Sequence, residues 1–90
     1  MITKNIKIIF SNHALKDKLP LLEKHGFSLT QQDIINAIYN PDNIDKTSDS
    51  PNIISSKSFD TKHVLRVVHK NEGDIIKVIT FYPAEKGRYY

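Results

Sequence analysis

Two runs of β-branched and aromatic residues near the C-terminus leave this chain few ways to fold. Val64, Leu65, Val67 and Val68 form one arm; Ile75, Ile76, Val78, Ile79, Phe81 and Tyr82 form the other, with Asn71-Glu72-Gly73-Asp74 between them. That tetrapeptide is turn chemistry, and Gly73 is free to take a positive φ. Apolar residues occupy both faces of each arm, which predicts a central hairpin that is largely covered. Arg66 and Lys77 interrupt this apolar ribbon. A cation inside a central strand is costly unless its face lines a cleft or meets an anion. Arg66 therefore leads the candidates for function.

The rest of the chain supplies layers for this hairpin. Ile6–Phe10 has the composition of a short strand, and Ser11 or Asn12 offers a cap for a helix opening at His13. Ala14, Leu15, Leu19 and Leu22 recur at helical spacing, while Lys16, Asp17, Lys18, Glu23 and Lys24 mark the wet side. Pro20 removes one intrahelical bond, so the spacing predicts a kink or a break with Pro20 in the first turn of the second piece. Gly26 is a stop signal. Thr30 caps a second helix with Gln32 and Asp33 in its first turn; Ile34, Ile35, Ala37, Ile38 and Tyr39 form its buried stripe, and Asn40-Pro41 ends it. Asn43–Thr47 and Asn52–Phe59 are weaker strand candidates, and Asp60-Thr61-Lys62 turns into the hairpin. The order β-α-α-β-β-β-β predicts one α+β domain over residues 1–90. It comprises an antiparallel sheet of four to five strands with the two helices on one face.

Composition removes several classes of function. With no cysteine, disulfides, thiol catalysis and thiolate metal sites are all excluded. No apolar run is long enough to cross a membrane, and Lys4 and Lys7 break up the N-terminal apolar stretch. We therefore expect a cytoplasmic protein with no membrane partner. The net charge of +3 is unevenly spread: residues 1–29 balance at +3, residues 30–56 at −3 and residues 57–90 at +3. The two basic ends meet in space if the first strand or helix packs beside the hairpin. Such a face suits a polyanion, nucleic acid first, against the plainer reading of a lysine-rich solvated surface.

His13, His25, His63 and His69 show no metal-binding spacing, and no acidic cluster sits near them, so neither a metal nor another cofactor is expected. Gly-x-Ser-x-Gly and phosphate-cradling glycine loops are absent. What remains is Lys, Arg, His and Tyr in the C-terminal third. Arginine clamps a phosphate and stabilises extra charge on five-coordinate phosphorus. Histidine or tyrosine moves protons at the 2′-hydroxyl and the leaving 5′-oxygen, and their rings stack on unpaired bases. The candidate catalytic residues are His13, Arg66, Arg88 and Tyr90; Lys57, Lys62, His63, Tyr82, Lys86 and Tyr89 are candidates for substrate binding. Each has a plainer alternative. Arg66 could pair with Asp60, Asp74 or Glu72, His13 could simply cap a helix, Tyr82 could be core, and residues 88–90 could be a frayed tail.

Four stretches carry a family resemblance. Ser11-Asn12-His13-Ala14 resembles the His-Ala opening of an uncharacterised branch of the RelE/ParE superfamily of small bacterial and archaeal toxins. Lys24-His25-Gly26-Phe27-Ser28, a helix and Asn40-Pro41 are similar to the corresponding stretch of BrnT-like toxins. Leu65-Arg66-Val67-Val68-His69 resembles the arginine strand of RelE, and Val78-Ile79-Thr80-Phe81-Tyr82 with the basic segment ending at Tyr90 resembles its last strand and terminal tyrosine. The resemblance implies a RelE/BrnT-like fold and metal-independent endoribonuclease activity, or RNA binding, directed at mRNA that is often ribosome-bound. It also implies a cognate antitoxin protein as partner. Arg66 would be the strand arginine and Tyr90 the terminal tyrosine, while Ala84 stands where a second arginine is expected, a role for which Lys86 or Arg88 is the substitute. ParE members share the fold and inhibit DNA gyrase without nuclease chemistry, so a non-catalytic binding module is the alternative.

Overall fold

The computed structural model of the chain describes residues 6–87. Its elements are β1 (Lys7–Phe10), a π-helical segment (His13–Lys18) continuous with α1 (Leu19–Lys24), α2 (Gln31–Tyr39), β2 (Asn43–Asp45), β3 (Ile53–Ser58), β4 (His63–Glu72) and β5 (Ile75–Glu85). They form an α+β fold whose single sheet has the strand order β1-β5-β4-β3-β2.

Local chemistry sets the helix ends. Pro20 lacks an N–H and its ring crowds the carbonyl of the preceding turn, and the chain answers with a wide π segment before α1, in whose first turn Pro20 then sits. Gly26 at φ 89° closes α1: the Phe27 N–H donates to the Leu22 carbonyl at 2.8 Å and the Gly26 N–H to Glu23 at 3.1 Å, a Schellman arrangement. At α2, the Asp33 N–H donates to Thr30 Oγ1 at 3.2 Å and the Thr30 N–H to the Asp33 carboxylate at 2.9 Å, completing a capping box.

The sheet departs from the expected pattern in one pairing. β2, β3, β4 and β5 are antiparallel neighbours, but β1 lies parallel to β5, with Ile8 opposite Ile76 and Phe10 opposite Val78. β1 and β2 occupy opposite edges, so the helical layer between them carries the chain across the whole sheet. The direction of β1 is set by that crossing and not by a turn. Packing β1 beside β5 also joins the two basic ends of the sequence.

The helices cover one face. Leu22, Ile34 and Ala37 pack there against Leu65, Val67, Val78 and Phe81, with Ile8, Phe10, Leu19, Phe27, Leu29, Ile38 and Phe59 around them. Strand parity sends the alternate residues to the other side, called the outer face below: Ile54, Ser56, Val64, Arg66, Val68, Thr80, Tyr82 and Ala84. β4 is buried continuously from Val64 to His69, so both of its faces are covered, as its composition requires.

Phe81 is fully buried at the centre of the helix-side core, while Ile79, two residues earlier, is exposed. Phe81→Ala is expected to lower unfolding free energy by about 3–5 kcal/mol. Ile79→Ala should change it by about 0.5 kcal/mol or less. Urea unfolding of both variants, followed by circular dichroism, measures the contrast.

Candidate functional site

The outer face is organised by a row running across three strands. Ser56, Arg66 and Tyr82 are in register on β3, β4 and β5. Arg66 Nε donates to the Tyr82 hydroxyl at 3.0 Å, and one terminal guanidinium nitrogen lies 3.5 Å from Ser56 Oγ. The guanidinium carbon stands 5.8 Å from the centre of the Tyr82 ring, at the reach of a cation–π contact. Arg66 is only 5% exposed, so its charge is held in a partly desolvated setting where interactions with an anion are stronger than in water. Because the Tyr82 oxygen accepts from Arg66, its own proton remains available to donate.

Further along the outer face, Lys70 and Lys77 are directly opposed on β4 and β5. Glu72 bridges them, 3.4 Å from Lys70 Nζ and 3.3 Å from Lys77 Nζ. The hydrogen bond and charge of Lys77, then those of Lys70, hold the Glu72 carboxyl below its ordinary value. The lysines at this end thus have an acidic partner, and Glu72 serves them rather than Arg66.

At the opposite end of the hairpin, Thr61, Lys62, His63, Glu85 and Lys86 line an open cleft of about 340 Å³. The Lys86 N–H donates to the Lys62 carbonyl at 2.8 Å, tying the two basic segments together. His63 is held in place from two sides. Its ring packs edge-on to Phe27 at 5.1 Å and stacks on Phe59 at 5.9 Å, and its Nδ1 lies 3.0 Å from both oxygens of the Asp60 carboxylate. Carboxylate oxygens only accept, so Nδ1 carries a proton and donates it to Asp60; in the neutral ring the lone pair is then on Nε2. Desolvation opposes the charged form of Asp60, but N–H bonds from Lys62 and His63 and the His63 side chain outweigh it and keep the carboxyl below its ordinary value. Three residues separate His63 from Arg66, about 10 Å along a strand.

The structure thus brings together Arg66 with Tyr82, and Lys62 with His63 and Lys86. Lys57 joins neither group. It lies on the helix-covered face, where Nζ donates to the Asn40 carbonyl at 2.9 Å and sits 3.9 Å from Asp42, so its observed partners are the end of α2 and a neighbouring acid. His13 opens the π-helical segment, which packs beside β5; its side chain lies outside the described residues, as do Arg88, Tyr89 and Tyr90. Parity in the sequence already separates His63 from Arg66, since residues three apart on one strand point to opposite faces.

A second polar cluster escaped the sequence reading. On the helix-covered face, Ser55 Oγ lies 2.8 Å from His69 Nε2, and His69 Nδ1 lies 2.8 Å from Asn71 Oδ1. Ser55 and His69 are 14 residues apart. Ser55 pairs with Val67 in the ladder, so the two polar side chains meet only diagonally, two positions along β4. The one signal available was the parity that places His69 on the same face as Leu65 and Val67.

Among the described residues, no three His, Asp or Glu side chains converge as metal ligands, and no helix is long and apolar enough to cross a membrane. Comparison with protein-family models, curated proteins and solved structures finds no significant match to this chain.

Burial lowers the pKa of His69 from its ordinary 6.5, against a smaller opposing effect of the Asn71 bond. The unfolded chain therefore binds more protons than the folded one between the lowered folded pKa and about 6.5, and stability rises with pH through that window. The His69 contribution is complete above 6.5 and is lost as pH falls through the folded value. Melting temperature measured from neutral to acidic pH should fall in this range, and His69→Gln should flatten that limb. The limb due to Asp42, Asp45, Asp60 and Glu72, whose pKa values are also lowered, lies at more acidic pH and should survive the substitution.

Proposed function

We propose that the chain is an RNA-directed toxin module of the RelE/BrnT type, cleaving RNA without a metal and held in check by an antitoxin protein. The observation that carries this reading is the Asp60–His63 pair opening on a cleft with Lys62 and Lys86, about 10 Å from the Arg66–Tyr82 row. Neither set alone amounts to a nuclease site. Together they supply the parts that phosphodiester cleavage requires.

In this reading a single strand of RNA lies along the outer face. Arg66 grips a backbone phosphate, and the Tyr82 ring offers a surface for an unpaired base. The strand then turns into the cleft at the hairpin's end. His63 Nε2 takes the 2′-hydroxyl proton, with Asp60 fixing the tautomer and stabilising the imidazolium that forms. The freed oxygen attacks phosphorus and the bond to the 5′-oxygen breaks, leaving a 2′,3′-cyclic phosphate and a 5′-hydroxyl that takes its proton from water. The ammonium groups of Lys62 and Lys86 stabilise the charge that develops on the phosphoryl oxygens.

A second reading has a specific observation behind it. Ala84 stands where the resemblance expects an arginine, and it is buried beside the outer-face row instead of presenting a cation. A binding module that has lost the chemistry, or a protein inhibitor of the gyrase type, would fit that position.

The two readings separate in one assay. Purified protein is incubated with total RNA in EDTA, with and without ribosomes. The nuclease reading expects fragments ending in 2′,3′-cyclic phosphate. His63→Gln should slow cleavage by about 10²-fold or more while RNA binding persists. Arg66→Ala should weaken RNA binding by about 10–10²-fold, with Arg66→Lys retaining the charge and part of the binding. Native protein that binds RNA without cleaving it in either condition supports the second reading.

A further inference from the structure

The helix-covered face holds a group that the RNA reading does not use. Beyond the C-terminal end of α2, where the packed core runs out, a cleft of about 310 Å³ opens between helix and sheet. Its walls include Ile38, Ile44, Ile53 and Ile76, and Ser55, His69 and Asn71 lie together in its lining. This volume is at the lower end of the range for small-molecule sites, and a mostly apolar wall with a few convergent polar groups is how such sites are built. Ile44 and Tyr39 are exposed at its mouth, although exposure of large apolar groups gains nothing for folding.

The polar groups are ordered by what each can donate. Asn71 Oδ1 has only lone pairs, so the 2.8 Å contact places the proton of His69 on Nδ1. Nε2 is then bare, and the 2.8 Å contact with Ser55 is a hydrogen bond from the serine hydroxyl to imidazole nitrogen. Ser55 and His69 are 2% and 3% exposed, so this relay sits in an apolar setting that keeps the imidazole neutral and able to accept a proton. Lys46 lines the same cleft and brings a cation to its rim.

We propose that Ser55, His69 and Asn71 form a nucleophilic relay acting on acyl esters whose short apolar chain occupies the cleft lined by Ile38, Ile44, Ile53 and Ile76. Ser55 Oγ bonds to the acyl carbon as its proton passes to His69 Nε2. The bond to the leaving alcohol breaks, and His69 returns the proton to that oxygen. Water then attacks the acyl-serine, His69 takes and passes on its proton, and the carboxylic acid leaves. Asn71 is a positioning residue: it fixes the tautomer that leaves Nε2 facing serine. Lys46 is the group able to meet the developing oxyanion.

A fluorophosphonate probe tests this on the native protein. Attack by Ser55 forms an oxygen–phosphorus bond and expels fluoride, adding a fixed mass to one peptide. The expected result is labelling at Ser55, blocked by prior incubation with p-nitrophenyl butyrate and slowed by about 10²-fold or more in His69→Gln. Hydrolysis of that ester should rise with pH as His69 loses its proton, and Asn71→Ala should lower the turnover rate more than it changes KM. Ser55→Ala should abolish both signals while keeping the native circular dichroism. Native protein labelled at Ser55 no faster than a heat-unfolded control would overturn the proposal. So would equal labelling rates in native protein and a folded His69→Gln variant. Neither result bears on RNA cleavage, whose groups lie elsewhere.

Discussion

Everything in this molecule depends on β4 being buried on both of its faces. A slip by one residue would turn Arg66 beneath the helical layer and send Leu65 and Val67 to the outer face. Its register against β3 and β5 is therefore fixed by packing, with Val67 opposite Ser55 and Phe81 and Arg66 opposite Ser56 and Tyr82. The same alternation sorts the polar residues. Arg66 goes to the outer face with Tyr82, and His69 goes beneath the helical layer with Ser55. Two chemically different clusters arise from one strand because their residues differ by an odd number.

How much of this was legible in the sequence depends on the range of the forces involved. The change of helical winding before Pro20, the stop at Gly26 and the Thr30–Asp33 capping box are short-range effects of backbone donors and steric limits. The hairpin was legible because its two arms are joined by their own turn. The direction of β1 was not, because its partner β5 lies at the far end of the chain and only the crossing of the helical layer decides it. β5 also runs beyond the last expected strand residue, through Pro83 to Glu85, which carries Lys86 into the cleft beside Lys62. Arg66 was visible as a cation where a cation is costly. The Ser55–His69 contact depended on a diagonal between strands and on a register shift after Val68, which no reading of spacing within one segment supplies.

The residues singled out for function divide by the same logic. Tyr82 proved to be Arg66's partner rather than helix-side core. Of the acids that were the alternative partners for Arg66, Asp60 bonds to His63 and Glu72 bridges two lysines. On the outer face the hydroxyls of Tyr82 and Ser56 orient the Arg66 guanidinium.

In the proposed function a nucleic-acid strand lies across the outer face and enters the cleft at the hairpin's end. Amide chemical-shift mapping during titration with a short single-stranded RNA, made non-cleavable by 2′-deoxy substitution at the target position, tests it most directly. Shifts are expected to cluster at Ser56, Arg66, Tyr82, Lys62 and Lys86, with the Arg66 Nε–H signal among the largest, and to weaken as salt rises. Shifts confined to α1, α2 and the Ser55–His69 cleft, or none at concentrations that saturate ordinary RNA-binding domains, would contradict it.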